Sequence, residues 1–284
     1  MQKVFSRDGT PIAFDRVGNG PPVILVSGAL SDRSVGDPRL ALLLQRHFTV
    51  FTYDRRGRGA SGDTPPYAVD REVEDIEAII EEAGGSACVY GVSSGAALAM
   101  EAAAGGLEIT KLALLEPPYR VDRSAPRPPD DLTTRVVELI SIGRRGDAVE
   151  FFLTKAVGLP SEAVVQMRNA PMWAGMEAIA HTLVYDFTIM GDGSLPTERI
   201  GRVKTPALVI ASNASSPWLR QAVQAVADAL PNAETQFLEG QFHGVPAETL
   251  APVLKNFFSD DADARTATPS RRLETRFDAE SRPS

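Results

Sequence analysis

With one cysteine, Cys88, and three histidines in 284 residues, the chain has neither the pairs for a disulfide framework nor the Cys and His spacing of a zinc site. That usage fits a reducing compartment. Basic residues are also short: 29 Lys and Arg face 37 Asp and Glu, leaving a formal charge of -8. An acidic surface of this kind argues against nucleic acid or an anionic membrane as partner. No apolar run approaches the roughly 18 residues of a membrane span. The N-terminal Met-Gln-Lys-Val-Phe-Ser-Arg-Asp carries charges where a secretory signal needs its apolar stretch. A soluble, cytoplasmic protein is therefore expected. What the chain does have is length and apolar content, 43%, enough for one large α/β core carrying an insertion.

Short apolar runs alternate with helical patterns from the start, which predicts a sheet wrapped by helices. Strands are expected near Val4 and over 12–15, joined at Asp8-Gly9, then over 23–26, 49–53, 87–90 and 111–115. Helices are expected over 40–46, from an Asp70 cap through Ile80 to Gly84-Gly85, and over 94–104. From Tyr119 to about Thr197 the patterns turn wholly helical (132–142, 147–157, 161–167 and 176–190), which predicts an inserted cap over 119–197 between core segments 1–118 and 198–259. Beyond it come a strand at 207–211, a helix at 217–230, a strand at 235–238 and a helix at 247–258. The polar tail over 260–284 has too few apolar residues to offset its ordering entropy and is expected to be disordered.

Val89-Tyr90-Gly91-Val92-Ser93-Ser94-Gly95 is a GxSxG that follows a predicted strand and opens a predicted helix. In that setting Ser93 sits on a tight turn with its hydroxyl exposed, and the small neighbours let backbone segments approach. A plain strand-to-helix turn with a serine cap would look similar, but the strand and helix on either side favour a nucleophile. A serine hydroxyl needs a base to take its proton, most often histidine. His243, between the last predicted strand and the last helix, falls at the same sheet edge as Ser93. His47 precedes a strand and reads as a surface residue. His181 belongs to a cap helix and reads as a hydrogen-bonded packing residue.

With these residues in view the chain resembles the α/β-hydrolase superfamily from Met1 to Phe258. The likeness extends to Val26-Ser27-Gly28-Ala29 and to Tyr53-Asp54-Arg55-Arg56-Gly57-Arg58-Gly59-Ala60-Ser61, similar to the D-x-R-G-x-G-x-S segment of esterases and cofactor-free haloperoxidases. It implies a mostly parallel eight-stranded sheet flanked by helices, with an inserted helical cap. It also implies an oxyanion hole at the backbone amides of Ala29 and Ser94.

The pattern departs at the acid. Most relatives carry an aspartate after the strand matching 206–210, where this chain reads Ala211-Ser212-Asn213-Ala214-Ser215-Ser216 and Ser215 occupies the acidic position. A neutral hydroxyl cannot stabilise an imidazolium as an anion does, so the Ser215 side chain is expected to matter little. Glu116, at the end of the strand after the elbow, is the expected substitute. A subgroup of haloalkane dehalogenases is similar in placing a glutamate there, although its nucleophile is an aspartate. Glu239, Asp186, a water, or no acid at all stay open. Cys88 reads as a small core residue, and Arg55, Arg56, Arg58 and Asp54 as surface or structural pairing. Phe151, Phe152, Met172, Trp173, Met176, Phe187 and Met190 read as packing the cap onto the core rim, some of them lining a pocket.

The expected activity is a serine hydrolase acting, without metal or organic cofactor, on a small to medium, largely uncharged and apolar ester, lactone or thioester. The same scaffold could host perhydrolysis with halide oxidation, C–C cleavage or cyclisation, or a binding protein that has lost turnover.

Overall fold

The computed structural model describes residues 1–259 except Asp37, Arg123, Ser124 and Pro126. The expected disorder of 260–284 lies outside the described residues.

Eight strands form one sheet: β1 (Gln2–Phe5), β2 (Pro11–Val17), β3 (Pro22–Val26), β4 (Thr49–Tyr53), β5 (Ala87–Val92), β6 (Ile109–Leu115), β7 (Ala207–Ser212) and β8 (Ala233–Leu238). Their order is β1-β2-β4-β3-β5-β6-β7-β8; β2 runs antiparallel to both its neighbours, β1 and β4, and the remaining pairs are parallel. The central strands are apolar on both faces because helices cover both. Ile24, Val26 and Val89 face a layer built by α2 (Val69–Glu82), α3 (Ser94–Ala104) and α10 (Pro217–Ala229). Val23, Leu25, Cys88 and Tyr90 face α1 (Pro38–Leu44) and α11 (Ala247–Ser259). A side chain fully buried in this way contributes about 1.5–3 kcal/mol. Cys88 is thus a core residue, as its sequence context suggests.

Between β6 and β7 the chain forms α4 (Leu132–Ser141), α5 (Arg145–Phe152), α6 (Ser161–Arg168), α7 (Trp173–Ala178), α8 (Leu183–Met190) and α9 (Thr197–Ile200). Two expected helices are broken. The one over 147–157 ends at Phe152 and continues as a wider turn, Leu153–Val157, and the one over 176–190 is interrupted by a tight turn, Ala180–Thr182. Asp70 does not cap α2; Ala68 precedes the helix and Asp70 lies in its acidic first turn. The aromatic and sulfur side chains of the cap divide in an unexpected way. Phe151, Phe152, Trp173, Met176 and Phe187 pack into a core of the cap's own, which meets the main domain at Ala29 and Leu30, while Met172 is exposed. Among the described residues no helix is long and apolar enough to cross a membrane.

Candidate active site

The parallel strands end on one rim, and the register shows how closely. Val26 pairs with Gly91, Val92 with Leu115, Leu115 with Ile210, and Ser212 with Leu238. Ser93 follows β5, Glu116 follows β6, and His243 lies in the loop after β8, so three residues distant in sequence leave the sheet at one edge. The ladder holds them as they leave: Ser93 N–H donates to the Leu115 carbonyl at 2.9 Å, and Glu116 N–H to Ile210 at 3.0 Å.

Ser93 has φ 55° and ψ -125°, a conformation that costs an L residue energy. Glycines on either side make it attainable. A Cβ on Gly91 would lie 2.5 Å from the Gly95 carbonyl oxygen, and one on Gly95 would lie 2.4 Å from the Val26 oxygen. Among the described residues, four non-glycine residues have positive φ: Leu30, Ser93, Glu116 and His243. Every one belongs to this rim. Strain concentrated so narrowly singles this rim out as the candidate site.

The three side chains form a continuous chain of hydrogen bonds. Ser93 Oγ lies 3.0 Å from His243 Nε2, and His243 Nδ1 lies 2.8 Å from Glu116 Oε2. With the proton on Nδ1 donated to the glutamate, Nε2 is left to accept from the serine hydroxyl. Glu116 is fully buried, and its second oxygen accepts from the Ser212 amide at 2.7 Å and the Ser215 hydroxyl at 2.5 Å. Ser215 Oγ in turn accepts the His243 backbone N–H at 3.1 Å. The residue expected to matter little therefore bridges the Glu116 carboxylate and the His243 backbone. Of the other acid candidates, Glu239 is exposed, and Asp186 bonds to arginines and Ser94.

That second cluster sits beneath the site. Arg55 pairs bidentately with Glu72 at 2.7 and 2.8 Å and reaches Asp186 at 2.8 Å, while Arg58 meets both Asp186 oxygens at 3.0 and 2.8 Å. All four side chains are essentially inaccessible, so the pairing is structural and internal; no surface pairing is involved. Burial alone would raise the Asp186 carboxyl, but Arg58, Arg55 and the Ser94 hydroxyl hold it below the usual carboxylate range. Burial, with Arg55 as a like-charged neighbour, pulls the Arg58 guanidinium down. Arg56 instead pairs with Asp75 at 2.8 and 2.6 Å and with Asp8 at 3.0 Å. Asp54 accepts the amides of Arg33 and Ala60, which fixes its loop. Apart from Ala60, six residues on from Asp54, these partners come from other segments and have no local sequence signal.

A cavity of about 430 Å³ opens onto Ser93 and His243. Ala29 and Ser94 line it beside the serine, and Leu132, Phe152, Phe187, Met190, Trp218 and Phe242 supply an apolar wall from cap and core. His181 faces Asp63, with Nε2 3.9 Å from its carboxylate, and His47 is exposed. Among the described residues no group of three or more His, Cys, Asp or Glu side chains is disposed to hold a metal ion.

Comparison with known proteins places this geometry in a family context. A model of the alpha/beta hydrolase family matches residues 23–252. The crystal structure of an alpha/beta hydrolase from Sphaerobacter thermophilus is 57% identical, covers 90% of this chain and all of its own, and superposes with a TM-score of 0.88. A thermophilic esterase from Thermogutta terrifontis, at 19% identity, covers 93% of this chain and 98% of its own with a TM-score of 0.70, a likeness of fold. A curated zearalenone hydrolase from Cladophialophora bantiana is 26% identical over 108 residues. That match spans 36% of this chain and 41% of the curated relative.

Proposed function

The chain belongs to the alpha/beta hydrolase family, and we propose that it is a serine hydrolase working by acyl transfer on a small to medium, largely uncharged carboxylic ester, lactone or thioester. The observation that carries this reading is the unbroken relay from Ser93 Oγ through His243 to Glu116, at 3.0 and 2.8 Å. A hydroxyl in contact with an imidazole whose far nitrogen is held by a carboxylate is activated for attack on a carbonyl.

Ser93 Oγ attacks the carbonyl carbon as its proton passes to His243 Nε2. The oxyanion is received by the amides of Ala29 and Ser94, and Glu116 holds the tautomer and stabilises the imidazolium. His243 then protonates the leaving alcohol or thiol. A water that gives its proton to the same nitrogen attacks the acyl-enzyme, which releases the acid and restores Ser93. The chain's own residues and water handle each proton. The apolar wall of the cavity suits an uncharged acyl or ring system, and zearalenone joins short activated esters as a probe because of the relative that bears its name.

A fluorophosphonate reagent tests this directly. Covalent labelling at Ser93 is expected, absent in Ser93→Ala and much slower in His243→Ala. A folded wild-type protein that takes no label would overturn the reading and leave a binding role for the pocket.

A further inference from the structure

The two segments assigned to the oxyanion hole are tied to each other by a cap residue and a core residue. Ser94 Oγ donates to Asp186 Oδ1 at 2.7 Å, and Asp186 belongs to α8 of the cap. Arg58 grips both oxygens of that carboxylate through Nη2, and its Nη1 donates to the Gly28 carbonyl at 2.6 Å and the Ser31 carbonyl at 3.1 Å.

The Gly28 carbonyl and the Ala29 N–H are the two ends of one planar peptide group. A cation bonded to the oxygen fixes the plane in which the N–H points and polarises that N–H into a stronger donor. The Asp186 charge would oppose a nearby developing oxyanion, but two arginines neutralise it where it stands. Stability alone does not account for the arrangement. Well-packed apolar side chains commonly match or exceed a buried ion cluster, and here Arg58 leaves its Nε buried with no partner while both Nη atoms are engaged. The geometry of the fork is preserved at the expense of a satisfied donor.

We propose that Arg58, oriented by Asp186 of the cap, is a positioning residue for the Ala29 amide of the oxyanion hole. The role makes seating of the cap a condition for transition-state stabilisation, and it rests on the acyl-transfer reading given above. Arg58 touches no substrate atom; it acts through the 28–29 peptide.

Two variants test it. Arg58→Lys keeps the charge near Asp186 but has no planar fork to reach the Gly28 oxygen at the same time. The double variant Arg58→Met with Asp186→Leu removes one cation and one anion together, leaving the Arg55 and Glu72 pair intact and the fold electrically balanced. Hydrolysis of a p-nitrophenyl ester is followed across pH, with inhibition by a trifluoromethyl ketone whose serine adduct carries an oxyanion. Loss of a single oxyanion donor costs about 100- to 1,000-fold in kcat. A folded double variant is therefore expected to lose at least tenfold in kcat, with KM within about threefold, the pH midpoint unmoved and ketone affinity lowered in parallel. Arg58→Lys is expected to show the same split. Wild-type kcat in Arg58→Lys overturns the proposal, whether or not the double variant folds; so does a folded double variant with wild-type kcat, or a loss confined to KM. A wild-type chain that neither hydrolyses esters nor takes the fluorophosphonate label overturns the acyl-transfer reading itself, and this inference with it.

Discussion

The Ser215 hydroxyl donates to the Glu116 carboxylate at 2.5 Å and accepts the backbone N–H of His243 at 3.1 Å. Ser215 thus occupies the place where relatives were expected to carry an acid, and it supports an acid that comes from the neighbouring strand. The finding revises the expectation that this side chain matters little. Truncation to Ser215→Ala leaves the buried Glu116 short of one donor and frees the His243 loop from one of its anchors. A hydrogen bond to a charged group is worth about 1.5–3 kcal/mol, so kcat for an activated ester is expected to fall roughly tenfold at unchanged KM. Steady-state kinetics on a variant of confirmed thermal stability checks it, and an effect under twofold contradicts it.

Glu116 itself is expected to matter far more. Glu116→Gln presents an amide that cannot stabilise the imidazolium and can force the wrong tautomer, for a loss on the order of a hundredfold or more in kcat. Glu116→Asp keeps the charge but withdraws it by one methylene from His243 Nδ1, and an intermediate loss is expected. If both variants turn over like wild type, the carboxylate has no part in the reaction.

The elbow predicts a stability effect. Because a Cβ at Gly95 would lie 2.4 Å from the Val26 oxygen and 2.5 Å from the Ser27 oxygen, both backbone atoms, Gly95→Ala must push α3 away from β3. About 2 kcal/mol or more is the expected cost, read as a lowered denaturation midpoint. Gly84→Ala is the poor control here, since its φ of 106° strains any side chain; Gly175→Ala, in open space inside α7, is the informative one.

His181 gives the cap a pH dependence whose direction follows from its surroundings. Burial first, and Arg145 second, push its pKa below 6.5, with Asp63 partly opposing them. The folded state then binds this proton less readily than the unfolded chain. The stabilisation is present above about pH 6.5 and is lost as pH falls below it. Wild type is expected to lose more thermal stability than His181→Gln between pH 7.5 and 5.5. Parallel losses in paired melting curves would remove His181 from the effect.

The parts of this molecule that a linear reading recovers are those with local causes. β3 and β5 read as strands because their residues are buried on both faces, and Ser93, Glu116 and His243 stand out because each follows a recognisable strand or turn. The break between α7 and α8 was not legible: Ala178 to Leu183 contains neither Gly nor Pro, and the helical period runs straight through. There Thr182 is buried close against Gly57 of the β4 loop, a tertiary contact with no trace in local composition. The same holds for the bond from Arg58 to Asp186, which joins residues 128 positions apart. Arginines after a strand announce a need for carboxylates without saying which.

The left-handed backbone at Leu30, Ser93, Glu116 and His243 carries a consequence for any attempt to toughen the protein. A glycine would relax the backbone at each position, but at the buried Leu30 and Glu116 it would also empty a packed site, so it is at the half-buried Ser93 and His243 that an unguided screen for heat resistance would be rewarded for erasing the proposed nucleophile and base. Durability and turnover would compete at those two Cα atoms, and reinforcement has to be sought elsewhere in the molecule.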